Sequence, residues 1–182
     1  MGGLIEKESC ITLKHSRCWN ATSRLKSARE EGAGFGQITR AYYADGRLRF
    51  DALAELKAKH PELKDWNWGN VYIRPDLQLL GIVLKMRDNW VFFAGVPNPE
   101  DRIQFALKAY NRGLGGVRAE MQACKLKANC DSTKFMYNAG ATCTASTKPL
   151  PAQYGGRSAC DISLAYVPDV YYKRAPKYKA WL

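Results

Sequence analysis

The chain has no apolar run approaching the roughly 18 residues of a membrane-spanning helix. The run Leu79 to Leu84 is of the length expected for a buried helix segment. Histidine is scarce, with His15 and His60 the only two, and no Cys-x-x-Cys occurs, so the usual zinc ligand sets are missing. No metal or other cofactor is expected. Internal repeats, interdomain linkers, zinc-finger spacing, ribonucleoprotein motifs and basic-region heptads are likewise missing, which argues against a nucleic-acid partner. Nor is there a secretory signal: the chain begins Met-Gly-Gly and enters a helical pattern at once, the start expected of a domain cut from a longer protein.

Acidic residues are also few. Seventeen Asp and Glu face 28 Lys and Arg, for a net charge of +11 over 182 residues. That balance implies an anionic partner, such as an acidic outer-membrane or cell-wall surface. The basic residues are scattered, and only Lys173-Arg174 with Lys177 and Lys179 is locally dense. An apolar content of 46% is ordinary for a globular protein, and the length suits one domain spanning residues 1–182. Six cysteines fall as sequence-local pairs: Cys10 with Cys18, Cys124 with Cys130, and Cys143 with Cys160. Reduced thiols and zinc are the alternatives to disulfides. Disulfides between neighbours close small loops and imply an oxidising workplace, a periplasm or the outside of a cell.

Helix signals dominate. Phe50 to Lys59 reads as a helix that stops at His60-Pro61. Arg74-Pro75-Asp76 opens another, and Asn98-Pro99-Glu100-Asp101 combines an N-cap, a Pro and two acids that complement the helix dipole. That third helix ends near Asn111-Arg112-Gly113, and Val117 to Leu126 reads as a fourth. Asp131 to Gly156 is Thr-, Ser-, Gly- and Pro-rich and reads as a cysteine-held loop. Ile162 to Tyr178 reads as a last helix, kinked or delayed by Pro168. Ile38 to Arg49 is the single candidate hairpin, turning at Asp45-Gly46. The expected class is mainly α with one small β-hairpin.

Three short segments suggest chemistry. In Leu4-Ile5-Glu6-Lys7-Glu8-Ser9-Cys10-Ile11, helical spacing puts Leu4, Ile5, Glu8 and Ile11 on one face. A carboxylate on an apolar stripe is costly unless paired or protonated, and a protonated one can serve as general acid. The bland alternative is a Glu that snorkels from a helix rim. The second segment is Glu30-Glu31-Gly32-Ala33-Gly34-Phe35-Gly36-Gln37-Ile38. It lacks the Lys-Ser/Thr end of a phosphate loop, while its glycines can let backbone approach a flat ligand. Its alternative is an ordinary Gly-rich turn, with Glu30 and Glu31 a solvated pair beside Arg29. The third is Ala109-Tyr110-Asn111-Arg112-Gly113 at a helix end, for which a core Tyr and a capping Asn are the alternative reading.

In this order, and with Ala165-Tyr166-Val167 near the end, these motifs resemble the soluble-lytic-transglycosylase family and its goose-type lysozyme relatives, most closely phage-borne cell-wall lysins. The resemblance covers roughly residues 3 to 175. It departs where the family's Gly-Leu-Met-Gln reads Gly34-Phe35-Gly36-Gln37, with Gly in the Met position. It implies a lysozyme-like fold and a peptidoglycan substrate, cut between N-acetylmuramic acid and N-acetylglucosamine. Glu8 would be the catalytic acid/base. Ser9, Gln37, Tyr110, Asn111 and Tyr166 would line the substrate site, with Ser9 structural rather than nucleophilic. A hydrolase would need a second carboxylate, which Glu30 or Glu31 would supply. A wall-binding or virion structural module is the non-catalytic alternative.

Overall fold

A computed structural model describes residues 1–10, 12–150 and 155–181. Ile11, one of the four residues of the first helical face, lies outside them. No helix among the described residues is long and apolar enough to cross a membrane. The chain separates into two compact units, Met1–Lys85 with Arg174–Leu182 and Met86–Lys173. Helix predominates, with one small antiparallel sheet.

The first unit begins with helix α1 (Gly2–Ser9), followed by a four-stranded sheet in the order β1 (Arg24–Lys26), β2 (Glu30–Ala33), β3 (Ile38–Tyr42) and β4 (Leu48–Asp51). The β3–β4 hairpin turns at Asp45-Gly46 as expected. Gly46 takes φ 83°, and the Asp45 carboxylate accepts the Arg47 amide. Strands β1 and β2 were not expected. Residues 30–33 form a paired strand rather than a loop, in register with β3 from Glu30↔Ala41 to Ala33↔Ile38. Asp51 then caps α2 (Ala52–Lys59) by accepting the amides of Leu53 and Ala54, and His60-Pro61 ends it. Helix α3 (Pro75–Phe92) starts at the Pro foreseen. Sheet, α2 and the start of α3 enclose a core that includes Ile38, Leu53, Leu56, Leu63, Trp66 and Leu77. Gly81 of α3 is needed there, because a Cβ would lie 2.6 Å from the Trp66 ring.

The second unit is built on α4 (Pro99–Arg112), α5 (Leu114–Lys125) and α6 (Ala159–Val167). The Asn98 side chain caps α4 through the amides of Glu100 and Asp101. Gly113, at φ 75°, ends α4, and α5 starts three residues before the sequence signal. Phe105 is fully buried, stacked on Phe93 at 5.4 Å and edge-on to Phe135 at 5.2 Å. The last helix departs from expectation. A capping box between Ser158 and Asp161 starts it at Ala159, and it ends at Val167. Pro168 has no amide to continue the ladder, so a π-helical stretch (Pro168–Arg174) and a 3-10 stretch (Ala175–Trp181) follow.

All three disulfides form between sequence neighbours: Cys10–Cys18, Cys124–Cys130 and Cys143–Cys160. No cysteine is left free among the described residues. Such bridges persist in oxidising compartments and are rare in a reducing cytosol.

Candidate active site

Helix α1 carries two carboxylates with opposite fates. Leu4, Ile5 and Ser9 are buried, and so is Glu6 at 2% exposure, whereas Glu8 is half-buried in the last turn. Glu6 was not foreseen, because its partners come from the far end of the chain. Its Oε1 accepts from Arg174 Nη1 and Lys177 Nζ, each at 2.9 Å, and its Oε2 accepts from the Tyr178 hydroxyl at 2.7 Å. Burial opposes ionisation of Glu6. Hydrogen bonds from Lys177 and Tyr178 and the charges of Lys177 and Arg174 outweigh it, holding the carboxyl below the ordinary range. Glu6 therefore anchors the C-terminal segment to α1 through three charge-assisted hydrogen bonds. Gly3 allows the close packing this needs, since a Cβ would meet the Ala175 backbone nitrogen at 2.6 Å.

Glu8 has a different neighbour. Lys85, on α3, is surrounded densely enough that burial pushes its ammonium below the usual lysine range, while the carboxylates of Glu8 and Glu55 oppose that shift. Glu8 thus sits within electrostatic reach of a desolvated cation and retains solvent access. Ser9 is turned inward. Its hydroxyl donates to Ile5 O at 2.7 Å and accepts the Trp19 amide at 3.2 Å, tying the end of α1 to the loop closed by Cys10–Cys18.

The glycine-rich segment closes the β2–β3 hairpin. Gly34 takes φ 72° and Gln37 φ 44°. Its glycines make room for protein side chains: a Cβ on Gly32 would meet Gln37 Oε1 at 2.7 Å, and one on Gly34 would collide with the Gln78 amide. Gln78, buried on α3, pins the turn by accepting the Phe35 amide and donating to Ala21 O and Val71 O. Gln37 also faces inward, its Nε2 donating to Gly34 O at 2.9 Å and Ser23 O at 3.3 Å. Gln37 Oε1 is buried with no hydrogen-bond partner among the described residues.

Glu31 is neither solvated nor paired with Arg29. It is 4% exposed on β2. Arg24 lies 2.7 Å from Oε1, which also accepts from the Tyr72 hydroxyl at 2.9 Å. Oε2 accepts both Nε and Nη2 of its cross-strand partner Arg40, at 3.1 and 2.8 Å. Burial would raise the Glu31 carboxyl, but the hydrogen bonds from Arg40 and Tyr72 and the two guanidinium charges hold it below the usual range. Burial and the bond to Glu31 push the Tyr72 phenol up to about 12. Arg40 also stacks 4.4 Å over Trp68, whose indole nitrogen donates to Asp51. Both Glu31 oxygens are therefore occupied. Glu30, one residue earlier, is half-buried.

The remaining site residues belong to the second unit. Tyr110 is 7% exposed and Tyr166 2%, on helices α4 and α6, which pack together. Asn111 is exposed in the last turn of α4 and is not its cap, since Gly113 donates to Ala109 O at that position. Beside them lies a buried pair that the sequence did not announce. Lys108 Nζ sits 2.9 Å from Glu120 Oε2, with both side chains 1% exposed, and donates to Gly140 O and Thr142 O. Burial pushes the Lys108 ammonium down against the pull of Glu120. The pair ties α4 and α5 to the segment before Cys143.

The geometry thus divides the expected residues. Glu8, Ser9, Glu30, Glu31 and Gln37 lie in the first unit, and Tyr110, Asn111 and Tyr166 in the second. Among the described residues no cluster of three or more His, Cys, Asp or Glu could hold a metal. Comparison with protein-family models, with curated proteins and with solved structures finds no match.

Proposed function

We propose that this chain is a peptidoglycan lytic transglycosylase that cuts the β-1,4 bond between N-acetylmuramic acid and N-acetylglucosamine, with Glu8 as its single acid/base. The observation that carries the reading is the solvent access of Glu8, half-buried in the last turn of α1 and within electrostatic reach of Lys85, where Glu6 and Glu31 are buried among cations and phenols. A general base must accept a proton, and a carboxylate whose oxygens are filled and whose pKa is held down is poorly suited to that task. Glu31 is thereby a poor second catalyst, and a hydrolytic mechanism would have to rely on Glu30.

A single carboxylate suffices when the substrate assists itself, a recognised exception to the two-carboxylate rule. Glu8 gives its proton to the glycosidic oxygen as the C1–O bond breaks, and the muramoyl acetamido group supports C1. The Glu8 carboxylate then takes the proton of the sugar's own 6-hydroxyl as O6 bonds to C1. A 1,6-anhydro ring closes, no water is consumed, and Glu8 ends protonated as it began. In this reading Asn111, exposed in the last turn of α4, contacts saccharide, and the buried Tyr110 and Tyr166 support the packing of α4 on α6. Ser9 and Gln37 shape the ends of α1 and of the β2–β3 turn. The excess of 28 basic over 17 acidic residues favours retention on anionic wall or outer-membrane material, which salt would weaken. The three disulfides suit work in a periplasm, outside a cell or on a virion. The test is Glu8→Gln, which should keep the fold and lose lysis of purified peptidoglycan by at least about 100-fold. Lysis within a few-fold of the parent would remove Glu8 from the chemistry.

A further inference from the structure

The second unit contains a cavity of about 460 Å³ that plays no part in the proposed reaction. Its apolar lining is Phe92, Phe93, Val96 and Met121, and its cations are Arg118 and Lys125. Among the described residues no carboxylate lines it and neither cation is paired with an acid. Arg118 lies 5.9 Å over the Phe92 ring, and Phe92 remains 44% exposed. The exposed Phe92 ring and the guanidinium above it stand at the mouth of this depression.

Size and chemistry select the occupant. The volume falls in the range of small-molecule sites, roughly 300–1,000 Å³. A peptide strand would need partners for its backbone amides and carbonyls. Besides the two cations, the side chains that could pair with such groups are Gln122 and Thr133 among the described residues, and the Thr133 hydroxyl already donates to Asp131. An apolar chain needs no such partners, and the unbranched, polarizable Met121 can adjust to it. Two cations without acids at the same depression supply the complement to one anionic head. The Cys124–Cys130 bridge fixes the end of α5, which carries Lys125.

We infer that the cavity bounded by Phe92, Phe93, Val96 and Met121 binds a single-chain amphiphilic carboxylate, with its alkyl chain on the apolar lining and its head between Arg118 and Lys125. Nothing in this inference depends on Glu8, so binding and lysis can fail separately. The test uses the full chain with sodium laurate below its aggregation concentration, read by titration calorimetry and by the NMR signal of the Met121 methyl group. Dodecanol serves as the uncharged control and acetate as the chainless one. Laurate should bind saturably at one per chain and shift the Met121 methyl, while acetate should do neither. Arg118→Gln with Lys125→Gln, both at exposed positions, should weaken laurate by at least about tenfold and leave dodecanol unchanged. Absence of saturable laurate binding overturns the inference, as does equal laurate affinity in the double variant. Sedimentation showing a dimer that buries Met121 and persists in laurate would assign the face to a second copy, and would overturn it as well.

Discussion

Replacing Glu6 with Ala should loosen the first unit, and its cost can be worked from its contacts. Glu6 is 3% exposed in its side chain and accepts from Arg174 (20% exposed), Lys177 (46%) and the Tyr178 hydroxyl. Hydrogen bonds to a charged group contribute about 1.5–3 kcal/mol each when covered. Taking the lower end for Arg174 and Tyr178, and at most a few tenths for the solvent-screened Lys177, the loss is about 3 kcal/mol. For a chain of this length that lowers Tm by about 6–12 °C. The pH dependence gives the assay a second reading. The folded-state pKa of Glu6 lies below its ordinary value of 4.5. Its contribution is therefore fully present above that value and is lost as pH falls through the folded pKa. Thermal melts of the parent and of Glu6→Gln should differ near neutral pH and converge under acid. Glu31 is present in both proteins and cancels in the difference. A Tm change under about 1 °C for Glu6→Ala, or a parent-minus-variant difference independent of pH, would refute the reasoning.

Three further outcomes follow from the same geometry. Glu31→Gln should lower Tm, because it leaves Arg24 and Arg40 uncompensated around a buried site, yet keep peptidoglycan lysis per folded molecule. Lysis lost in a protein that melts normally would restore Glu31 to the chemistry. Asn111→Ala, at an exposed helical position, should change stability by no more than about 0.5 kcal/mol while reducing lysis severalfold, and parallel loss of both would mark Asn111 as structural. Replacing both Cys124 and Cys130 with Ser should cost about 2–3 kcal/mol by the chain-entropy relation, read as a denaturation midpoint shift, and an unchanged midpoint would contradict it.

The parts of this fold legible in the sequence are those set by local chemistry. Asn98-Pro99-Glu100-Asp101 announces a helix because capping and dipole terms act within one turn. Asp45-Gly46 announces a hairpin because Gly readily takes positive φ, and the cysteine pairs were legible because neighbours in sequence are close in space. What was hidden depends on distant partners. Residues 24–26 are all exposed and 30–33 combine two acids with Gly and Ala, so neither shows the alternation of a half-buried strand. Their pairing rests on β3 and on Arg24, Arg40 and Tyr72 around Glu31. The partners of α1 are hidden for the same reason. Apolar spacing pointed to Glu8, but the buried acid is Glu6, whose partners lie 168–172 residues away. The glycines at 32 and 34 look open to a ligand in sequence, yet Gln37 and Gln78 fill the space beside them.

The most direct test of the proposed reaction is mass spectrometry of the muropeptides released from purified peptidoglycan by the parent and by Glu8→Gln. A transglycosylase that uses Glu8 alone yields fragments ending in 1,6-anhydromuramic acid, one water lighter than reducing ends, and the variant yields almost none. Reducing ends from the parent would mean that water is activated, turning attention to Glu30 as a second carboxylate. Equal release by parent and variant, or no release by either, would contradict the account at its centre.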